Sequence, residues 1–271
     1  MAGRRSSSST KNDSPYIAAY DGLTFRLNEL EDLNRKLPKA LHAESEKEHA
    51  QWAKRVANAD SQIQSDVARI FSRIVNSQGQ STVRSNEASR LVREYLLSVL
   101  DYASISKFVR EMSLVFLISQ FEIFLEQMIS ITLQKNPGPI MEKNITLKQL
   151  AEWKSFKKAK EQIIEKEIHN VRLTSPENVD SYFSRMFKVQ LSTFPKWSEF
   201  RERFYRRHAI VHNSGEPDHA YLEKTGLKRK GPLEVTRNYL TTSIRLSCET
   251  AQRIAKQFEK RFGPEWPEDY P

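Results

Sequence analysis

Apolar side chains recur at intervals of three or four residues along most of this chain, and this spacing is the feature that most constrains its fold. Leu23, Leu27 and Leu30 begin one such series, and Leu240 and Ile244 belong to another. Residues at this spacing share one face of an α-helix. The 271 residues include only 8 glycines, whereas β-hairpins and phosphate-binding loops need many positive-φ positions. The sequence therefore predicts an all-α fold.

Composition changes along the chain predict three segments. Residues 1–15 are serine-rich and lack the apolar run of a secretory signal, so we expect a disordered tail. Residues 16–100 are expected to form a helical hairpin or coiled-coil-like region, and residues 101–265 a helical bundle. We expect Pro38 to break the first helix near its end.

A heptad-like apolar stripe characterises the N-terminal region. Its members are Trp52, Val56, Ala59, Ile63, Val67, Ile70 and Ile74. This stripe, here called the Trp52–Ile74 seam, fits a hairpin within the chain or a contact with a second chain. The following residues 76–82 lack apolar side chains and contain Gly79, which predicts a loop.

Capping signals place further helices in the rest of the chain. They are predicted at about residues 85–100, 105–134, 146–168, 177–189, 198–213 and 236–262. Ser104 is the expected N-cap of the second, the Thr146–Gln149 capping box begins the third, and Ser175-Pro176 precedes the fourth. Gly215 ends the fifth. The 105–134 helix is the most apolar and is therefore expected to be central. Its Gln120, Glu122 and Glu126 would be costly in hydrocarbon, so no membrane association is expected.

The charge balance is basic, with a net charge of +9 and a pI near 9.5, and this favours acidic partners such as nucleic acid or anionic lipid. The single cysteine, Cys248, excludes an intrachain disulfide and is interpreted as a small core or boundary residue. These features predict a cytoplasmic protein.

One short segment has the composition of a catalytic site: Arg206-Arg-His-Ala-Ile-Val-His-Asn213. Arg207 and His212, separated by four residues, resemble the motif of the HEPN domain family, which is Arg, four to six residues, then His. The polar residue that commonly comes after that Arg is here His208. The segments at 213–226 and 231–236 also resemble the region downstream of the motif in that family, and the likeness covers roughly residues 105–262.

The resemblance implies a HEPN-like helical bundle that cleaves RNA without a metal or cofactor. It implies attack by the 2′-OH and a 2′,3′-cyclic phosphate product. It further implies a homodimer whose two motifs face one cleft. Members of the family are often toxins or defence effectors, which suggests a neutralising or activating protein partner.

The residue types suit that reaction. RNA supplies its own nucleophile, and imidazole is the side chain that shifts protons near neutral pH. A guanidinium fork stays charged and can stabilise charge growing on a phosphate. We therefore assign proton transfer to His212, phosphate stabilisation to Arg207 and a supporting role to His208. Five helical positions turn through about 140°, so Arg207 must reach the phosphate by its length or by fraying near Asn213.

Several neighbouring residues have two interpretations. Glu122, inside the most apolar helix, either orients Arg207 or pairs as an ordinary core-edge acid. Arg206 is a competing arginine that could contact RNA; Asn213 could cap the helix in left-handed geometry or touch substrate; Tyr205 could stack on a base or pack in the core. Two basic clusters are either phosphate contacts or solvated faces: Lys228-Arg229-Lys230, and Lys154, Lys157, Lys158 and Lys160 beside Trp153 and Phe156.

Other functions are compatible with the same residues. The arginines of this helix could be a solvated face, with His212 stabilised by the helix dipole. His208 and His212 could bind a metal with Asp218 or His219, although no Glu lies between the histidines as a metalloprotease requires. The protein could also be a non-catalytic interaction module that uses the Trp52–Ile74 seam, or an RNA binder without turnover.

Overall fold

The computed structural model describes residues 14–75, 86–141, 144, 146–153, 155–172, 175–228 and 231–263. Every regular element in these residues is helical, and they contain no β-strand, which confirms the all-α prediction. The predicted disordered tail at residues 1–15 lies almost wholly outside the described residues.

The described part of the chain forms ten α-helices and one 3-10 turn at Leu191–Thr193. The helices are α1 Pro15–Ala57, α2 Ser61–Val75, α3 Glu87–Lys135, α4 Gly138–Met141, α5 Leu147–Trp153, α6 Phe156–Arg172, α7 Pro176–Phe187, α8 Trp197–Asn213, α9 His219–Thr225 and α10 Arg237–Phe262.

These helices divide into two compact units. The larger unit consists of Met1–Glu31 and Ser113–Pro271, and the smaller unit consists of Asp32–Met112. The predicted boundary at residues 100 and 101 falls inside α3, and the units divide after Met112 instead. Both α1 and α3 therefore contribute residues to each unit.

The second half of α3 provides the core of the larger unit. Its buried side chains are Leu114, Leu117, Ile118, Phe121, Phe124, Leu125, Met128, Ile129 and Leu133. The ring of Phe121 lies 4.4 Å from that of Phe200 in α8, measured between centroids. This contact fixes α8 against the face of α3 that also carries Glu122.

The Trp52–Ile74 seam belongs to the smaller unit and is interrupted by a turn at residues 58–60. Val67 is buried with three α3 residues, Ala88, Leu91 and Val92, and Trp52 donates its indole N–H to the Leu91 carbonyl at 2.7 Å. The seam thus packs on α3 of the same chain, in the manner of the predicted hairpin.

Three predicted helix boundaries are wrong. The single helix predicted over about residues 146–168 is divided into α5 and α6. Helix α1 continues through Pro38, whose exposed ring lies where water can replace the hydrogen bond that proline cannot donate. Helix α3 is continuous through Ser104, since the segment contains no Gly or Pro to interrupt it. By contrast, the Thr146 capping box is present: the Gln149 N–H donates to Thr146 Oγ1 at 3.2 Å, and the Thr146 N–H donates to Gln149 Oε1 at 2.9 Å.

Among the described helices, α3 is the one long and apolar enough to cross a membrane. Its most apolar 18-residue window has a mean hydropathy of 1.6, and half of that window is buried inside the protein. Core helices of soluble proteins have the same composition, so this property is weak evidence of membrane insertion.

Candidate functional site

Local capping signals keep the motif helix regular to its last residue. Ser214 and Gly215 come after α8 with φ values of 52° and 81°, and the Gly215 N–H donates to the Ala209 carbonyl at 2.9 Å. Both residues are left-handed, so the predicted role of Gly215 is confirmed and extended to Ser214. Because Asn213 is still helical, the helix does not fray between Arg207 and His212.

A short helix that the sequence analysis did not find comes directly after the motif. The side chain of Asp218 accepts from the Tyr221 N–H at 2.7 Å and caps α9, and left-handed Gly226 ends it. The Asn213 amide donates to Asp218 Oδ2 at 3.1 Å, which links α8 to the start of α9. Asn213 therefore does not take the left-handed capping role predicted for it, since Ser214 does.

Helices α3, α7, α8 and α9 enclose a cleft of about 650 Å³ within the larger unit. This volume lies in the range of ligand sites, about 300 to 1,000 Å³. The lining residues are Glu122, Ser175, Pro176, Phe204, Tyr205, Arg207, His208, Ala209, Asp218, Ala220, Tyr221 and Lys224. Three predicted catalytic residues, Glu122, Arg207 and His208, are thus brought together here.

Arg207 and Glu122 lie next to each other in the lining of this cleft. Arg207 Nη2 lies 3.8 Å from Glu122 Oε2, and the two side chains are 30% and 26% exposed. Arg207 Nε is buried and has no hydrogen-bond partner among the described residues. A buried atom cannot contact a ligand, so the capacity of Arg207 to donate to a phosphate lies in the Nη end of its guanidinium, where the ion pair with Glu122 is longer than a hydrogen bond.

The two histidines of the motif differ in position. His208 lines the cleft, whereas His212, one turn later on α8, is exposed and is not among the lining residues. Their rings stack with centroids 4.5 Å apart and an interplanar angle of 44°. The histidine assigned to proton transfer thus contacts His208 and is not part of the cleft lining.

Arg206, predicted to compete with Arg207 or contact RNA, is only 8% exposed, so this prediction is corrected. Its Nε donates to Glu202 Oε1 at 2.8 Å and its Nη1 to the Glu234 carbonyl at 2.7 Å. The guanidinium lies 4.1 Å from the centroid of the Tyr239 ring. Arg206 therefore stabilises the packing of α8 and has no surface for RNA.

Glu202 is the centre of a buried polar network behind the cleft. It accepts hydrogen bonds from the hydroxyls of Tyr221 at 2.5 Å and Tyr239 at 2.6 Å, in addition to that from Arg206. Burial, and then the neighbouring Glu202 carboxylate, raise the pKa values of both tyrosines well above their ordinary value, so they remain neutral donors. The network joins α8, α9 and α10.

Tyr205 is buried and packs with Ala209, Tyr221 and Leu233, as its core-packing interpretation predicted. Its hydroxyl donates to Glu177 at the start of α7, and burial followed by this hydrogen bond raises the tyrosine pKa. Part of the ring still lines the cleft. Stacking on a base would need the ring face to be open, but the Lys224 ammonium lies over it at 4.9 Å.

The predicted basic clusters lie outside the cleft lining where the structure describes them. Lys228 is exposed, and Arg229, Lys230 and Lys154 lie outside the described residues. Lys157 and Lys158 are exposed on α6, and Lys160 donates to the Gln134 carbonyl at 2.7 Å. Their contact with RNA stays a prediction.

We searched for a possible metal site and for similar known proteins. Within the described ranges, no group of three or more His, Cys, Asp or Glu side chains lies close enough to hold a metal ion. No protein-family model, curated protein or solved structure is significantly similar to this chain.

The sequence analysis missed the cleft residues contributed by α7 and α9, namely Ser175, Pro176, Ala220, Tyr221 and Lys224. The Asp218 cap and Gly226, seven residues after His219, were the available signal for α9. No local signal indicates that α9 packs on α8, because that contact depends on the network around Glu202.

Proposed function

We propose that this protein is an endoribonuclease of the HEPN type that cleaves RNA without a metal ion. The single observation that carries the proposal is the cleft whose lining combines His208 with Arg207, a partly exposed arginine that is paired only loosely with Glu122. The motif resemblance supplies the reaction class, and the cleft supplies a place for the substrate.

In the proposed reaction, the ribose 2′-oxygen attacks the adjacent phosphorus while the bond from phosphorus to the 5′-oxygen breaks. One proton leaves the 2′-OH and one is delivered to the departing 5′-oxygen, so the products are a 2′,3′-cyclic phosphate and a 5′-OH. The stacked pair His208 and His212 transfers protons, and Arg207 stabilises the extra charge on the phosphate. Glu122 orients Arg207 through their ion pair.

The resemblance also supports a homodimer, because a second copy of the motif would provide both an acid and a base for one phosphate. We also propose that the protein is a toxin or defence effector with a neutralising or activating protein partner. It would act in the cytoplasm and not at a membrane. The net charge of +9 favours RNA as the partner.

A second candidate is an RNA binder that uses the same cleft without turnover. It is favoured by the position of His212, which leaves a single histidine of each chain in the cleft lining. The interaction-module alternative is weakened, because most of the Trp52–Ile74 seam packs against α3 of its own chain.

The test incubates labelled total RNA with the wild type, Arg207→Ala, His208→Ala and His212→Ala in excess EDTA, and maps the product ends. His169→Ala and Arg253→Ala are matched controls, since both residues are exposed and neither lines the cleft. We expect cyclic phosphate ends from the wild type and both controls, and a loss of about 100-fold or more for each motif variant.

Binding of RNA by the wild type without any product would favour the binder. Equal cleavage by the wild type and by Arg207→Ala would contradict the proposed site, since it would indicate a contaminating nuclease or a different centre.

A further inference from the structure

A second cation, Lys224 on α9, lines the same cleft as Arg207, and the proposed reaction gives it no role. Its side chain is exposed, so its ammonium is accessible to a ligand. The two cations come from different helices, so their presence in one cleft results from tertiary packing and not from a run of basic residues. A ligand that carries negative charge at two places would engage both.

The ammonium of Lys224 lies over an aromatic ring, and the Glu177 carboxylate is nearby. Lys224 Nζ lies 4.9 Å from the centroid of the Tyr205 ring. That ring is itself held, because Tyr205 is buried and its hydroxyl donates to Glu177. A cation–π contact leaves ammonium N–H donors for acceptors on the open side.

The helix that carries Lys224 is anchored at two points. Asn213 donates to the capping carboxylate of Asp218, and the Tyr221 hydroxyl donates to Glu202 at 2.5 Å. Ala220 and Lys224, one helical turn apart, both line the cleft, so this face of α9 forms one wall. Helix α9, which carries Lys224, is thus anchored to α8, which carries Arg207.

We propose that Lys224 binds a phosphodiester group that flanks the scissile one, so that the site takes single-stranded RNA with at least two consecutive phosphates. The assignment of Arg207 to the scissile phosphate rests on the proposed function. A single strand carries a negative charge at every nucleotide, and Lys binds phosphate as a point charge without the planar geometry that Arg imposes. A charge-only contact of this kind holds the strand without selecting a base.

The first test measures binding of a 2′-O-methyl oligoribonucleotide, which lacks the attacking hydroxyl, at a series of salt concentrations. Lys224→Ala is expected to reduce the slope of log affinity against log salt by about 0.7, the contribution of one phosphate contact to a single strand. Lys224→Arg is expected to keep the wild-type slope. Lys256→Ala, which removes an exposed lysine of α10 outside the cleft, is the control.

The second test measures kcat/KM on a dinucleoside monophosphate and on the same dinucleotide with an added terminal 5′- or 3′-phosphate. The wild type is expected to prefer one phosphate-bearing substrate, and this preference is expected to fall about five- to tenfold in Lys224→Ala. The end that carries the effect shows on which side of the scissile bond Lys224 binds.

The two proposals fail in different ways. The flanking-phosphate site would be overturned if Lys224→Ala had the same slope of log affinity against log salt as the wild type. It would also be overturned if Lys224→Ala lost kcat/KM equally on all three dinucleotides. Either result would hold even if Arg207→Ala abolishes cleavage. Absence of cleavage together with the reduced slope would overturn the proposed function and leave Lys224 as a contact of an RNA binder.

Discussion

Arg206 and Arg207 are adjacent in sequence and lie in opposite environments. The first is buried on the Glu202 network, and the second lines the cleft with a side chain that is 30% exposed. Successive helical residues point about 100° apart, so a packed face and a cleft face can meet between two neighbours. One of these arginines therefore supports the fold, and the other is available for chemistry.

This difference predicts opposite effects of two matched substitutions. Arg206→Ala removes the nearer cation of Glu202 and leaves only Arg203 at 3.5 Å, so we expect the free energy of unfolding to fall by about 3 kcal/mol. Arg207→Ala removes a partly exposed side chain with one long ion pair, so we expect a change below about 1 kcal/mol. Urea denaturation monitored by circular dichroism measures both, and equal losses would contradict these two environments.

At the scale of elements, the sequence predicted those helix starts that depend on a hydrogen bond between residues close in sequence. The Ser175 cap and Thr236 cap begin α7 and α10 as predicted, because one side chain bonding a nearby N–H decides each start. The pairing of Glu122 with Arg207 was one of two interpretations of this residue, since a carboxylate in an apolar helix needs a cation but the sequence does not say which one.

The remaining elements depended on contacts distant in sequence. Helix α9 has seven residues, which is too short for apolar periodicity to show, and it is held by Tyr221 on the Glu202 network. The difference between His208 and His212 likewise depends on which turn of α8 the walls from α7 and α9 cover. Neither the spacing of the motif nor its composition contains that information.

The link between α7 and α8 predicts a pH dependence of stability. Burial opposes ionisation of Glu177, but hydrogen bonds from Tyr205 and from the backbone outweigh it and hold the pKa of Glu177 below its ordinary value of 4.5. Because the folded pKa is depressed, the ionised carboxylate stabilises the protein above about pH 4.5, and this stabilisation is lost as the pH falls through the folded pKa.

We therefore expect Glu177→Gln to be less stable than the wild type at pH 7 and to approach wild-type stability under more acidic conditions. Thermal unfolding of both proteins between pH 3 and pH 7 measures the difference. Glu161→Gln is a control, because it makes the same substitution at an exposed position of α6. If the difference in stability between the two proteins were the same at every pH in this range, the effect of Glu177 would come from its packing and not from its charge.

At the scale of the whole molecule, the two units have very different cores. The smaller unit buries Val67, Ala88, Leu91 and Val92, whereas the core of the larger unit includes buried residues from α1, α3, α7, α8 and α10. Local stability depends on buried apolar area, and a unit with a small core opens more readily. The proposed site lies wholly in the unit with the larger core, which suits a cleft that must hold several groups in fixed positions.

This contrast predicts a gradient of amide hydrogen exchange along one helix. Amides of α3 between Ser113 and Leu133 are expected to exchange more slowly than those between Ala88 and Met112, although all belong to one uninterrupted helix. Mass spectrometry of peptic fragments measures this. Leu91→Ala is expected to accelerate exchange in the smaller unit only, and uniform acceleration along α3 would show that the two units unfold together.

The two neighbouring arginines also determine what the sequence of an inactive relative of this protein would look like. A descendant under selection for folding alone would retain Arg206 and could exchange Arg207 for any polar residue. Arg206 and His212 are separated by five residues, so such a descendant would still satisfy the spacing of Arg, four to six residues, then His. Relatives that have lost activity would thus be recognised by the loss of the arginine at position 207, because the spacing between an Arg and a His would still match the motif.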